Sequence, residues 1–433
     1  MSKRSYHLGL AITATALALT LGDGEQAGAG EVTTKTTAKE AAAARSVSNR
    51  LAAIAAAGEP ITLAALDQQY VTPPAGENAA PLYELAFAAF KNEDPQSATF
   101  VADNIAALPL LVKAAERNAC RYPVVLTNGF ATFLPHLLKI KHAATLLQKV
   151  AVNQTAKKRP DAATTTLLAG LSLAYSLDNE PFIISKLVEL ASIKLILDGM
   201  AQSFSLQPFS DVQLKSLQAA LKTSETGTSL SRALIGDRAS MIYIFQLSDT
   251  DMAKFEKDYI GSSEAVDLVD YRKTEKFQPD FAFGLDYMSN LVALAGMPCP
   301  QSLDNLPKSV DQLETATAQG FILSQILLQG DGASFGKSAE ATARIRSAQV
   351  AVAVERYRLQ HANALPGVLT DLVPEFLTAI PADPFDGQPL RFKRLPAKGY
   401  VIYSVGKDRK DDDGIEKAPD GKTQLDLAFT VKR

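Results

Sequence analysis

The chain has 433 residues, 44 of them Lys or Arg and 47 of them Asp or Glu, so its net charge is −3 at pH 7. Apolar residues make up 47% and charged residues 21%, a balance that is typical of folded globular proteins and too apolar for a disordered chain. The lack of basic excess argues against nucleic acid as a partner, and two Cys with four His exclude metal sites built from His and Cys.

The N-terminus has the pattern of an export signal. Lys3 and Arg4 form a positive region, a mostly apolar stretch follows from Leu8 to Leu21, and Ala27-Gly28-Ala29 offers a small-residue cleavage site. We therefore predict a signal peptide over residues 1–29 and a mature protein that is periplasmic or extracellular. The alternative is an uncleaved anchor, although the stretch is shorter than the roughly 20 apolar residues that cross a bilayer. No later segment is long and uncharged enough to span, so no membrane span is expected in the mature chain.

Export also affects the expectation for the two cysteines, because an oxidising compartment permits a disulfide. Cys120 and Cys299 each lie near proline, in Cys120-Arg121-Tyr122-Pro123 and in Pro298-Cys299-Pro300. One interpretation is a disulfide that closes a long loop and stabilises the fold by up to about 5 kcal/mol. The other is a pair of separate buried thiols that act as small apolar side chains.

Most of the mature chain has a helical pattern. Residues 30–79 are rich in Ala and Thr and are interpreted as a helix with a linker. From about 80 to 330, apolar residues recur at i, i+3, i+4 and i+7 between Pro, Gly and Asn or Asp, which predicts a domain of packed helical hairpins. A helix beginning at Pro181 is apolar on nearly every face, so we expect it at the centre. Ser210 and Gln213 have the spacing of a capping box.

The pattern changes in the last quarter of the chain. Residues 330–336 are interpreted as a flexible linker, and 337–362 as one long helix capped by Ser338. Three short alternating segments then predict strands, at Leu390–Leu395, Tyr400–Val405 and Leu425–Val431. The expected fold class is therefore mainly α, with a helical-hairpin domain followed by a small α+β domain over 337–433, in which a long helix lies on a short antiparallel sheet.

A group of segments in this last domain carries a family resemblance. They are Val354–Arg358, Leu372-Val373-Pro374, Pro381–Leu390 and Tyr400–Asp408. Together they resemble the globular domain of the type II secretion major pseudopilin, which implies a pseudopilin-like arrangement of the helix and the sheet. No leader, peptidase site and apolar stalk lead into this helix before Glu340, so we do not expect a subunit of the secretion fibre.

A second resemblance extends over the whole chain. Its residues are Ala57–Leu63, Gly76–Tyr83, Cys120–Pro123, Glu180-Pro181 with Ser185 and Leu187, and Gly236–Ala239. On these residues the chain is similar to a family of exported, uncharacterised bacterial proteins that join a helical region to the same ending. The resemblance implies an architecture and no catalytic residues.

An acidic loop follows the second predicted strand, and its crowded carboxylates are the hard oxygen ligands that calcium prefers. The candidate calcium ligands are Asp408, Asp411, Asp412, Asp413 and Asp426, with the carbonyl of Val405. The pseudopilin resemblance implies calcium in this loop, with Asp408 at the family's ligand position. The alternative is a solvated acidic loop in which Lys407, Arg409 and Lys410 balance the charge.

Catalytic patterns are weak. Gly332–Gly336 matches a nucleophile elbow by letter, but the helical segment Phe321–Leu328 stands where the elbow needs a strand. Glu77, Glu180 and Asp237 occur in motif-like contexts, and the sequence leaves open whether two of them converge as a carboxylate pair.

Three functions follow as hypotheses. The first is an exported, non-catalytic scaffold or binding module of the cell envelope, with a calcium-stabilised C-terminal domain and a protein or an envelope polymer as its partner. The second is an envelope hydrolase that uses paired carboxylates, and the third is an accessory protein of a type II secretion apparatus. Whether the protein is an enzyme stays open, and the patterns favour the non-catalytic hypothesis.

Overall fold

The computed structural model describes residues 44–225, 229–260 and 267–433. The predicted signal peptide, residues 1–29, lies outside these ranges. The described chain is mainly helical, with a three-stranded antiparallel sheet near its C-terminus. The mainly α class and the small C-terminal sheet are therefore confirmed.

The helices and strands are numbered in chain order. The helices are α1 (described over 44–56), α2 (Leu63–Gln69), α3 (Ala80–Ala88), α4 (Phe100–Asn104), α5 (Leu108–Ala114), α6 (His136–Ala156), α7 (Pro160–Tyr175), α8 (Ile183–Leu206), α9 (Asp211–Ser224), α10 (Ser229–Phe245), α11 (Asp249–Phe255), α12 (Leu268–Arg272), α13 (Phe277–Ala295), α14 (Gln301–Gln319), α15 (Ile322–Leu327) and α16 (Ala333–Gln360). The strands are β1 (Arg391–Arg394), β2 (Tyr400–Ser404) and β3 (Leu427–Val431). All three strands fall within the segments predicted for them.

Helix α8 lies at the centre of the helical region, as its apolar pattern predicts. It contacts α6, α7, α10, α16 and β3, and it buries residues on several faces, among them Ile193, Met200 and Phe204. The helix begins at Ile183 and not at Pro181, because Phe182 is extended and precedes the first helical turn. Side chains in the first turns of α8 also line a cavity, which is described below.

The capping box at the start of α9 is confirmed. The Ser210 hydroxyl accepts from the backbone N–H of Gln213, and the Gln213 side chain accepts from the backbone N–H of Ser210 at 2.8 Å. Both bonds satisfy donors that the first helical turn cannot pair internally. The start of α9 is therefore fixed by local sequence.

The predicted linker at 330–336 is wrong in its second half. Helix α16 begins at Ala333, so Gly336 lies inside the helix and Ser338 does not cap it. The buried Phe335 packs into the core formed with α10–α15, which holds the first turn in place. The glycines of this segment indicated a linker, whereas the burial of Phe335 anchors the start of the helix.

Helix α16 joins the helices to the sheet. One face carries Arg346, Gln349 and Arg356, which bond to α9 and to Glu225 just after it, and the opposite face supports β2, where Tyr400 donates to the Ala351 carbonyl. The central strand β2 is buried throughout, between β1 and β3. One hydrophobic core includes α6–α9, α16 and the sheet, and a second includes α10–α15. The contacts of α16 thus extend across the predicted boundary between 80–330 and 337–433.

A close approach between α10 and the α7–α8 loop generates a test of this packing. A Cβ on Gly236 would lie 1.8 Å from the carbonyl oxygen of Pro181, whereas a Cβ on Gly336 in α16 would meet no atom within 4 Å. We expect Gly236→Ala to lower the free energy of unfolding by about 3 kcal/mol, because backbone must move. Gly336→Ala should leave it unchanged or raise it by up to about 1 kcal/mol. Urea denaturation of both variants checks this, and equal effects would contradict the contact.

Candidate functional site

The loop between α7 and α8 contributes to the walls of two cavities. Cavity A, of about 170 Å³, lies among α8, the first turn of α10, the α13–α14 connection and the first turns of α16. Cavity B, of about 580 Å³, lies among α2, the segment around Cys120, the α7–α8 loop and α10. Asp178 lines cavity A, Asn179 and Pro181 line cavity B, and Ser231 lines both.

A buried polar network holds this loop in place. The Glu180 carboxylate is 2% exposed, lies 2.9 Å from Nε2 of His136, and accepts a hydrogen bond from the Ser185 hydroxyl. The His136 ring stacks on Tyr122 with ring centroids 4.2 Å apart. Because a buried carboxylate is stable only when it is hydrogen-bonded, these contacts fix the backbone on both sides of Glu180. The loop therefore presents its cavity-lining residues from a rigid base.

This network does not have the arrangement of a nucleophilic triad. In such a triad the hydroxyl donates to the imidazole and the carboxylate orients the imidazole. Here the Ser185 hydroxyl donates to Oε1 of the Glu180 carboxylate, and Nε2 of His136 lies 3.2 and 2.9 Å from the two oxygens of the same carboxylate. All three side chains are buried, so the arrangement serves to position the loop.

The three carboxylates considered for a hydrolase are not gathered at either cavity. Glu77 is exposed, Glu180 is sealed by its contacts with His136 and Ser185, and none of Glu77, Glu180 and Asp237 is among the residues that line cavity A or cavity B. The hypothesis of a pair built from these residues is therefore not supported. Their motif-like contexts mark structural positions, which sequence spacing alone could not distinguish from chemistry.

Asp237, which is partly exposed, instead lies close enough to the buried carboxylate of Asp331 for the two charges to interact. Burial raises the pKa of Asp237 to about 7 against a hydrogen bond from the backbone of Ile183. Burial, and then the charge of Asp237, hold the pKa of Asp331 well above its usual range. Burial and the mutual repulsion of the two carboxylates both disfavour their ionised forms.

A charged pair that the sequence analysis did not single out lies in the wall of cavity A. Glu189 is 1% exposed, and its Oε1 accepts from the Lys186 ammonium at 2.7 Å. Its Oε2 is buried and has no hydrogen-bond partner among the described residues. Burial raises the pKa of Glu189 to about 7, although Lys186 acts in the opposite direction. The signal in the sequence was a Lys and a Glu three residues apart in the first turns of α8, among mostly apolar neighbours.

Cys120 lies in the wall of cavity B, and its environment excludes thiolate chemistry. Burial raises the pKa of the Cys120 thiol to about 12, so the thiol stays protonated at neutral pH and is a poor nucleophile. Much of the rest of the lining is apolar, with Leu66, Ile235 and Pro181 among its members. Cavity B therefore has the character of a binding cavity, and its volume is within the range of small-molecule sites.

The candidate disulfide is absent from the structure. Cys120 and Cys299 are both free thiols, the first buried and the second exposed. They lie at different cavities, Cys120 at cavity B and Cys299 at cavity A, which explains why similar proline contexts do not bring them together. Of the two interpretations, the structure shows separate thiols, of which only Cys120 is buried.

Several of the predicted calcium ligands are engaged with other groups. Asp408 accepts from the backbone N–H of Lys410, Asp411 contacts Arg391 and the Tyr403 hydroxyl, and Asp413 pairs with Lys393. Val405 is buried, and its N–H donates to Asp383 at 2.9 Å. No group of three or more His, Cys, Asp or Glu in the described chain is arranged to hold a metal ion.

The remaining two candidates behave differently. Asp412 Oδ2 and Asp426 Oδ1 are buried and have no hydrogen-bond partner in the described residues. Asp426 is fully buried, and its other oxygen accepts from the Gly414 N–H at 2.7 Å. Burial raises the pKa of Asp426 to about 6, and the charges of Asp412 and Asp411 act in the same direction. The carboxylates of Asp412 and Asp426 are thus close enough to repel each other, and within the described ranges no Lys, Arg or His forms an ion pair with Asp426.

Comparison with known proteins does not extend this description. No protein-family model, curated protein or solved structure matches the chain. Within the described ranges, none of the helices has the length and apolar character needed to cross a membrane.

The Asp237–Asp331 pair predicts a pH-dependent stability. The folded-state pKa of Asp237 is raised, so its destabilising effect is absent below about pH 4, grows as the pH rises, and is complete above pH 7. We expect Asp237→Asn to raise the free energy of unfolding by on the order of 2 kcal/mol at pH 8, and by clearly less at pH 5.

Chemical denaturation at the two pH values measures the difference. Asp311→Asn, at an exposed residue of α14, is the matched control and should change stability at neither pH. A variant Asp237→Asn whose effect is the same at pH 5 and pH 8 would show that Asp237 does not titrate in this range.

Proposed function

We propose that this protein is an exported scaffold or binding module of the cell envelope, whose pseudopilin-like C-terminal segment is stabilised by calcium. The observation that carries the proposal is the pair of buried, unpartnered oxygens on Asp412 and Asp426. Leaving one buried acceptor without a partner costs about 1–3 kcal/mol, and two neighbouring carboxylates add repulsion. A cation between them removes both costs.

The chemistry of the donors fits calcium. Carboxylate and carbonyl oxygens are its preferred ligands, and its coordination tolerates irregular loops and bound water. Asp411 is a further candidate ligand, since its charge already acts on Asp426, although it is also engaged by Arg391, by the Tyr403 hydroxyl and by the backbone N–H of Asp413. When bound, calcium would supply positive charge that ties the loop to the start of β3. The ligand set centres on Asp412 and Asp426, and Asp408, the position implied by the resemblance, is less favoured.

The arrangement around the loop supports the pseudopilin-like part of the proposal. A long helix, α16, lies on a three-stranded antiparallel sheet in the order β1-β2-β3, and the acidic loop connects β2 to β3. These are the elements that the resemblance leads one to expect. The same helix is covered by α8 and α9 on its other face, so the segment is built into a larger body.

Cavity B supports the binding part of the proposal. It is the larger cavity, and the network of Glu180, His136 and Ser185 fixes one of its walls. The thiol of Cys120 in its wall stays protonated at neutral pH and is a poor nucleophile. A rigid cavity of this size suits recognition of a ligand more than chemistry on it.

Calcium should raise the stability of the folded protein. A site held at a hundredfold excess over its dissociation constant adds about 2.7 kcal/mol to the folded state. Thermal unfolding of the purified protein should therefore show a higher midpoint in calcium than in chelator. The shift should shrink as the pH falls below 6, because protons then compete for Asp426. Equal midpoints in calcium and in chelator at pH 7.5 would contradict the proposal.

Substitutions at Asp426 and Asp408 distinguish the ligand set centred on Asp412 and Asp426 from the one implied by the resemblance. In chelator, Asp426→Asn should raise the midpoint of thermal unfolding, because it removes a repelling charge. The same variant should show no further rise in calcium, because it lacks a ligand. Asp408→Asn should keep the response, because its carboxylate bonds within its own turn. If Asp408→Asn abolished the response and Asp426→Asn did not, the ligands would be those implied by the resemblance alone.

The export part of the proposal has a separate test. Fusion of residues 1–29 to a reporter enzyme that is active only outside the cytoplasm should give activity, whereas the same fusion with Lys3 and Arg4 replaced by Glu should not. Protein sequencing of the exported fusion would locate the cleavage site, expected after Ala29. An inactive fusion would refute export and leave the calcium test unaffected.

A further inference from the structure

Cavity A contains a donor and an acceptor of opposite charge side by side. Lys186 and Glu189 are three residues apart on α8 and both line the cavity. Glu189 takes one of the three N–H bonds of the ammonium through Oε1, and it keeps Oε2 without a partner among the described residues. No other hydrogen bond from the Lys186 ammonium reaches the described chain. The pair can therefore bind one further acceptor at Lys186 and one further donor at Glu189.

The other charged groups of cavity A are already neutralised. Asp178 lies 3.7 Å from the Arg232 guanidinium, which also donates to the Asp178 carbonyl at 2.7 Å. Glu225 bonds to Arg346 and to Gln349. The three ion pairs Lys186–Glu189, Arg232–Asp178 and Arg346–Glu225, taken among the described residues, thus carry no net charge. A ligand with a net charge would remain uncompensated in a largely buried site, whereas a ligand with one positive and one negative group would match it.

The remaining wall is small and combines apolar side chains with the hydroxyls of Ser231, Ser302, Ser338 and Thr342. Leu190, Ile193, Met297, Phe335 and Ile345 line the cavity beside the charged pair. A volume of about 170 Å³ suits a molecule with a short aliphatic side chain. The partly exposed Met297 and the exposed Cys299 place an opening at the α13–α14 connection, so the ligand can enter from solvent.

We propose that cavity A binds a free α-amino acid with an aliphatic side chain, its carboxylate on Lys186, its ammonium on Glu189 and its side chain against Ile193 and Ile345. This goes beyond the calcium-stabilised module proposed above and does not rest on it, since the acidic loop is not part of the cavity. The ammonium of the amino acid would supply the hydrogen bond that the buried Oε2 of Glu189 lacks among the described residues.

Three matched probes test the proposal on the unaltered protein at pH 8, where Glu189 is ionised even with its raised pKa of about 7. They are L-leucine, 4-methylpentanoate, which lacks the ammonium, and 3-methylbutylamine, which lacks the carboxylate. Isothermal titration calorimetry should show saturable binding of L-leucine, and binding of each truncated probe that is at least about tenfold weaker, the factor given by 1.4 kcal/mol. No binding of L-leucine, or equal binding of all three probes, would overturn the proposal.

Two variants test which group of the ligand contacts Lys186 and which contacts Glu189. Glu189→Gln should weaken L-leucine and 3-methylbutylamine without weakening 4-methylpentanoate, and Lys186→Gln should weaken L-leucine and 4-methylpentanoate without weakening 3-methylbutylamine. Asp198→Asn, in the exposed pair with Lys194 farther along α8, is the control and should leave all three probes unchanged. Circular dichroism confirms that each variant folds. If neither Glu189→Gln nor Lys186→Gln altered L-leucine binding, the site would lie elsewhere and the proposal would be wrong. If a variant does not fold, the comparison of the three probes on the unaltered protein still decides whether the proposal holds.

Discussion

The burial of α16 on two opposite faces is the constraint on which the rest of the structure depends. Valines 350, 352 and 354 are fully buried, and the residues on either side of them bond to α9 or to the sheet. A helix buried on both faces can bury far more apolar surface than a surface helix, and apolar burial contributes about 25 cal/mol per Å². The sheet, which is too small to be stable alone, is folded because α16 connects it to the helical body.

Buried charge is handled in two different ways in this protein. Glu180 and Asp280 are satisfied by several hydrogen bonds each, and they fix loops or helix starts. Glu189 and Asp426 each keep one buried oxygen without a partner in the described chain. Because a satisfied carboxylate stabilises structure and an unsatisfied one destabilises it, the second kind points to ligands. The calcium proposal and the amino-acid proposal both rest on that difference.

Much of the fold was predictable because its signals are local. The capping box of Ser210 and Gln213 and the three alternating strand segments are set by neighbours within a few residues, and the structure has them where predicted. The linker at 330–336 failed, because Phe335 is held by contacts with distant helices that no local pattern contains. The candidate site was less predictable still. Cavity A combines residues from α8, α10, the α13–α14 connection and α16, whose convergence depends on packing.

The sequence by itself determined the helical class, the small sheet, the export pattern and the acidic loop, since each depends on composition or on short-range periodicity. Only the tertiary structure decided which charges are buried and which of those lack a partner. In the folded protein Cys120 and Cys299 are separate thiols, and Glu77 lines neither cavity. Asp412 and Asp426 are the members of the acidic loop that keep a buried oxygen without a hydrogen-bond partner in the described chain. The physical reason is that hydrogen-bond satisfaction and desolvation depend on distances between residues far apart in the chain, which sequence spacing does not contain.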